Sequence, residues 1–142
     1  MLVRLMYASR AAEGLRADEV TSIARRSAAA NATHGVTGVL CFSGAVFLQV
    51  LEGGRSQVSA LYNRIVADKR HHDVVLLTYQ EIAERRFAGW SMGQVNMKTL
   101  NPAVLLKYSE AAVLDPYAVS GAVSMAMFDE LVATASITCP SG

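Results

Sequence analysis

The sequence predicts an α+β fold of the ferredoxin-like kind, a βαββαββ sheet with two helices on one face and a C-terminal two-helix extension. Three observations lead there. Two stretches with helical spacing of apolar residues alternate with runs rich in β-branched and aromatic residues. Two of those runs meet at Ser43-Gly44, which reads as the turn of a tight hairpin. In the second of them, residues 46–51, both alternating sets of side chains are apolar except at Gln49, so that strand is central and covered on both faces.

Residues 2–8 make the first strand, with Val3, Leu5 and Tyr7 on one face and Arg4, Met6 and Ala8 on the other. From about residue 15 to residue 31, Val20, Ile23, Ala24, Ser27 and Asn31 recur at spacings of three and four, one face of a helix. Asp18 and Glu19 in its first turn and Arg25-Arg26 near its last suit the helix dipole, and His34-Gly35 ends it. The hairpin follows over residues 36–42 and 45–51. Gly53-Gly54 breaks the chain before a second helix, residues 56–69, with Val58, Leu61 and Ile65 as its buried stripe. His71-His72-Asp73 reads as a turn and residues 74–82 as a strand. The charged loop Glu84-Arg85-Arg86 leads to a last short strand, residues 90–95, which carries Trp90 and Met92.

Residues 1–96 thus form one domain, and residues 97–142 differ in character. Asn101-Pro102 and Asp115-Pro116 open two helix-like stretches, residues 104–112 and 117–135. The second has almost no charge before Asp129-Glu130, and a helix that apolar buries most of its surface. Either the bare face of the sheet or a partner chain can cover it, which leaves a homodimer open, and residues 117–128 are the candidate contact surface. No internal repeat or low-complexity tract is present.

Composition excludes several classes. The chain is 52% hydrophobic and 18% charged, as a globular domain is, and its formal charge of +1 gives no footprint for nucleic acid. No apolar run reaches about 18 residues, so no membrane span is expected. No basic segment followed by an apolar run opens the chain, so no signal peptide is expected. Cys41 and Cys139 are too few and too far apart for a disulfide framework, which leads to a reduced, cytoplasmic protein. There is no G-x-S-x-G, no Walker A motif and no H-E-x-x-H. Gly35-Val36-Thr37-Gly38 enters a strand and not a helix, so it is a turn and not a phosphate loop. The adjacent His71 and His72 diverge and lack a third ligand, so no metal site is expected, although His71 can reach a bound molecule.

What remains is a polar set around Gln49. A buried Gln has two amide donors and a carbonyl acceptor, and each left unpaired costs roughly 1–3 kcal/mol. In this topology the first and third strands are neighbours, so Tyr7 and Gln49 face one layer. Asn31 closes the first helix on its inward stripe, and Arg64 and Asp68, four residues apart, share one edge of the second helix. Together they suit a planar ring with several acceptors, lying between the sheet and two helices.

At these residues the chain resembles a known family. Tyr7, Asn31, Gly35-Val36-Thr37-Gly38, residues 47–53 and Trp90-Ser91-Met92 are similar to the motifs of BLUF domains, blue-light sensors that use FAD, in the same order and spacing across residues 1–96. The two-helix tail resembles the short, stand-alone members of that family. The resemblance implies FAD as cofactor, no enzymatic turnover, and a signal passed to a separate downstream protein.

It also implies roles by position. Tyr7 is the electron and proton donor, and Gln49 bridges Tyr7 and the N5/O4 edge of the flavin, changing its hydrogen bonds by rotation or tautomerisation. Asn31 holds the C4 carbonyl side. Trp90 and Met92 couple the chromophore to the last strand. Arg64, Asp68, Arg70 and His71 contact the pyrimidine edge or the cofactor chain. One departure is Ala30-Asn31, where many members carry Asn-Asn. Two other classes fit a ferredoxin-like sheet: a small-molecule hydrolase of the acylphosphatase type, for which Arg10 would need a phosphate cradle that Ala11-Ala12-Glu13-Gly14 does not resemble, and a metabolite-binding domain with Gln49 as an ordinary core amide.

Overall fold

The computed structural model describes residues 1–134 and 137–138. The first strand, β1 (Leu2–Ala11), runs antiparallel between β3 (Val46–Gly54) and β4 (His71–Ile82). β2 (Thr37–Ser43) forms the hairpin with β3, and β5 (Gly93–Val95) joins β2 in parallel. The two-residue β6 (Ile137–Thr138) completes the sheet order β4-β1-β3-β2-β5-β6. Its first four strands have the ferredoxin-like order, with the two most buried strands, β1 and β3, in the centre.

The alternation of side chains along β1 and β3 gives the sheet two cores. Val3, Leu5, Tyr7, Phe47 and Leu51 point to one face, which is covered by α1 (Ala17–His34) and α2 (Arg55–Ala67) through Val20, Ala24, Ala28 and Val58. Met6, Ala8, Leu48 and Val50 point to the other, which meets α3 (Pro102–Tyr108) and α4 (Gly121–Thr134) through Leu105, Met127, Phe128 and Leu131. The apolar side of α4 is therefore spent within the chain and is not an exposed patch. Phe128 is fully buried and meets Phe87 edge to face, with ring centroids 5.9 Å apart. Phe128→Ala is expected to lower stability by about 3–5 kcal/mol, read from the denaturant midpoint; a loss under about 1 kcal/mol would show that the tail is not integral to the core.

Local chemistry sets several boundaries. α1 ends at Gly35, whose φ of 66° is open to glycine without strain and whose N–H meets the Asn31 carbonyl. The Asn31 side chain is thus left for other work. At Gly38 an added Cβ would stand 2.1 Å from the Val50 carbonyl oxygen, so β2 and β3 approach closely only with glycine there. Asn101 accepts from the Ala103 N–H at 3.0 Å and Pro102 opens α3.

Three elements differ from the sequence reading. His71-His72-Asp73 is no turn but the start of β4, because β1 runs on to Ala11 and pairs with it. Asp73 takes a φ of 53°, and the ladder shifts between Ala8 and Arg10, a bulge that lets the strand continue. The strand expected over residues 90–95 is β5 and covers only residues 93–95, so Trp90 and Met92 precede it. The second tail helix starts at Gly121, not at residue 117. Tyr117 instead docks on the sheet: its hydroxyl donates to the Asp73 carbonyl at 2.7 Å and its ring lies 4.0 Å from the Arg10 guanidinium. Among the described residues no helix is long and apolar enough to cross a membrane. Cys41 is a free, buried thiol that burial pushes up to about 12, and Cys139 lies outside the described residues.

Candidate functional site

The antiparallel register of β1 and β3 sets Tyr7 directly opposite Gln49, both on the helix-covered face. The Tyr7 hydroxyl donates to Gln49 Oε1. Gln49 Nε2 donates to Met92 Sδ at 3.1 Å, and a thioether is a weak acceptor. The amide is therefore held firmly at its oxygen and loosely at its nitrogen. Tyr7 is 4% exposed and Gln49 6%. Burial, and then Tyr62 and Asp68 nearby, raise the Tyr7 phenol well above its ordinary value, so it stays a protonated donor at physiological pH.

A cleft with about 590 Å3 of empty space, partly open to solvent, adjoins this pair between the sheet and the two helices. Ile23 from α1, Leu61 and Ile65 from α2, and Leu40, Phe47 and Met92 form its apolar walls. Polar groups sit among them: Ser27, Asn31, Asp68, Arg70 and His71, besides Tyr7 and Gln49. Asn31 Nδ2 donates to the Ser91 carbonyl at 3.0 Å. Its Oδ1 and one amide hydrogen of Gln49 have no protein partner among the described residues, and both residues line the open cleft. An apolar slot with amide groups left free to bond a ligand fits a flat heteroaromatic ring such as a flavin. Among the described residues no cluster of three His, Cys, Asp or Glu side chains could hold a metal.

The charged rim differs from the sequence reading. Arg64 is exposed and does not line the cleft. α2 stops at Ala67 and Asp68 turns away with ψ 129°, so the four-residue alignment with Arg64 is lost. Arg70 takes the carboxylate instead, with Nε 2.9 Å from Asp68 Oδ1 and a second contact through Nη2, and this holds the Asp68 carboxyl down to about 2. His71 lines the cleft, but the protein uses both of its ring nitrogens. Nε2 meets the Ile65 carbonyl, which can only accept, so Nε2 carries a proton, and Nδ1 lies 2.7 Å from the Ser9 hydroxyl.

Trp90 and Met92 part company. Met92 is buried on the helix side against Gln49, whereas Trp90 packs into the tail-side core. Two residues of equal parity could not do this on a regular strand. Ala30 is exposed and off the cleft wall. Arg10 is committed to Tyr117 and, at 3.6 Å, to Asp73, so it builds no phosphate cradle. The residues missed by sequence reasoning are mostly wall positions, Ile23, Ser27, Leu61 and Ile65. Their signal was present in the helical spacing, where Ile23, Ser27 and Asn31 recur every four residues.

The chain is 39% identical over 84 residues to the alpha subunit of photoactivated adenylate cyclase of Euglena gracilis, covering 59% of this chain and 8% of that protein. It is 38% identical over 90 residues to the blue light- and temperature-regulated antirepressor BluF of Escherichia coli, covering 61% of this chain and 22% of that one. The chain thus spans a small part of these curated relatives. A solved structure, BlsA in its photo-activated state, superposes with a TM-score of 0.81 at 29% identity, covering 93% of this chain and 95% of that one. The family model for sensors of blue light using FAD matches residues 2–93, which include β1 to β4, both cleft helices and the Tyr7–Gln49–Met92 contacts, and the chain accordingly belongs to the BLUF family.

Proposed function

We propose that this protein is a blue-light photoreceptor that binds FAD non-covalently in the cleft and signals by rearranging hydrogen bonds, without turning over a substrate. The observation that carries the reading is the chain Tyr7–Gln49–Met92, a buried phenol and a buried thioether joined through one amide. Asn31 and Gln49 would hold the ring, and Asp68 and Arg70, which also line the cleft, would hold the cofactor's polar edge or chain. When bound, the flavin supplies absorption of blue light and a transient electron acceptor.

Tyr7 would be the electron donor to that acceptor and would pass its hydroxyl proton along the existing bond to Gln49 Oε1, and both would return to Tyr7 as the dark state recovers. Only a side chain that both accepts and donates can relay this change, which an amide does and a carboxylate or an alkyl group does not. Gln49 then settles into a second arrangement by rotation or tautomerisation. The weak sulfur acceptor at Met92 leaves the amide free to let go on that side. Water would compete for both arrangements, and the burial of Tyr7 and Gln49 excludes it.

Residues 1–96 would sense light and residues 97–142 would relay it, in the cytoplasm, to a separate protein partner. The tail's packing on the sheet supports a relay within the chain. The test is an absorption spectrum of the purified protein before and after blue light, with the flavin extracted. A flavin spectrum that moves reversibly to the red, with FAD in the extract, is expected. Colourless protein that takes up no flavin overturns the reading, and FMN in the extract overturns the cofactor assignment alone.

A further inference from the structure

Among the described residues Glu52 is the one buried acidic side chain. Its Oε2 accepts from Arg4 Nε at 2.8 Å, which already balances its charge. The same carboxylate also accepts two consecutive backbone N–H groups from far along the chain. Arg86 N lies 3.0 Å from each oxygen and Phe87 N lies 2.6 Å from Oε1.

Those two amides begin a segment, residues 86–92, with no helix or strand to hold its shape. Its far end makes the contacts of the site. The Trp90 carbonyl accepts from Gly38 N at 2.9 Å, the Ser91 carbonyl from Asn31 Nδ2, and Met92 Sδ from Gln49 Nε2. Its near end meets α4, through Phe87 on Phe128 and Arg86 Nη1 on Asp129 at 2.8 Å. Glu52 lies on β3 three residues beyond Gln49. The segment is therefore pinned to the strand that carries the photoactive amide and returns to touch that amide.

Resting on the function proposed above, we propose that Glu52 is a positioning residue for Gln49: by fixing the base of segment 86–92 it sets how Met92 meets the amide. A buried ion pair adds little net stability over a well-packed apolar pair, so stability alone does not account for Arg4 and Glu52. Charge-assisted bonds to backbone N–H groups are short and directional, which suits a fixed pivot.

The test compares two double variants, neither of which buries an unpaired charge. Arg4→Met/Glu52→Gln keeps an acceptor for the segment, and Arg4→Met/Glu52→Met removes it. With flavin bound in the dark, the second should shift the NMR signals of the Met92 methyl and the Gln49 side-chain amide, and the first should leave them near wild type. After illumination the second should return to the dark state at a rate changed about tenfold or more, the first within about twofold. A folded Glu52→Met double variant with wild-type signals and return rate overturns the proposal. If it does not fold, hydrogen exchange in the wild type decides: a fixed pivot keeps the Arg86 and Phe87 amides equally protected in dark and light, and exchange about tenfold faster under light overturns it. The dark NMR signals test the positioning even if the wild type shows no red shift, a result that would sink the function reading by itself.

Discussion

Gln49→Leu is expected to leave a yellow, flavin-bound protein that shows no reversible red shift under blue light. Leu fills much the same volume, and the apolar walls of the cleft, Ile23, Leu61, Ile65 and Phe47, do not depend on the amide. What is lost is the acceptor for the buried Tyr7 hydroxyl and the donor to Met92 Sδ. An unpaired buried hydroxyl costs roughly 1–3 kcal/mol, a loss that a domain of ordinary stability, about 5–15 kcal/mol, survives. The expected effect on signalling is total, because no neighbouring side chain can take the place of a group that accepts from Tyr7 and donates on its other side. A red shift of normal size in this variant would refute the relay role of Gln49 while leaving flavin binding intact.

The central strands were legible because their chemistry is unusual. An apolar run with a single amide, opposite a strand with Tyr at the matching position, fixes the face and the pairing of Tyr7 and Gln49. The same register places Arg4 opposite Glu52, three residues along each strand, so that buried pair was open to the same reasoning and was not drawn. The start of β4 was hidden for a physical reason. His-His-Asp favours a turn locally, and only the pairing of Ala11 with His71, with a bulge at Asp73, makes it strand. Segment 86–92 was hidden likewise. Its shape comes from Glu52, Asn31 and Gly38, all distant in sequence, so parity arguments put Trp90 and Met92 on one strand face when they serve opposite cores. The Arg64–Asp68 pair fails because α2 ends one residue before Asp68, and the helical spacing on which the pair rested no longer applies.

Tyr7→Phe is expected to abolish the photocycle with even less disturbance of structure. The ring stays, and with it the packing of Tyr7 against Tyr62, 5.8 Å between centroids, and His71, 6.3 Å. Only the hydroxyl goes, and Gln49 Oε1 loses its donor at a cost of roughly 1–3 kcal/mol. Flavin uptake should remain close to wild type, since Asn31, Asp68 and Arg70 are untouched. The lesion is chemical: Phe is a far poorer electron donor than a phenol and carries no transferable proton. Burial raises the Tyr7 phenol well above its ordinary value, so the wild-type response should not titrate with a Tyr7 tyrosinate near neutral pH. Tyr62, whose phenol is also raised by burial, is the nearest other tyrosine ring and has no hydrogen bond to Gln49. A Tyr7→Phe protein with an unchanged red shift and return would therefore place the donor elsewhere, with Tyr62 the first residue to replace, and would separate the role of Gln49 in tuning the flavin from any role in moving a proton.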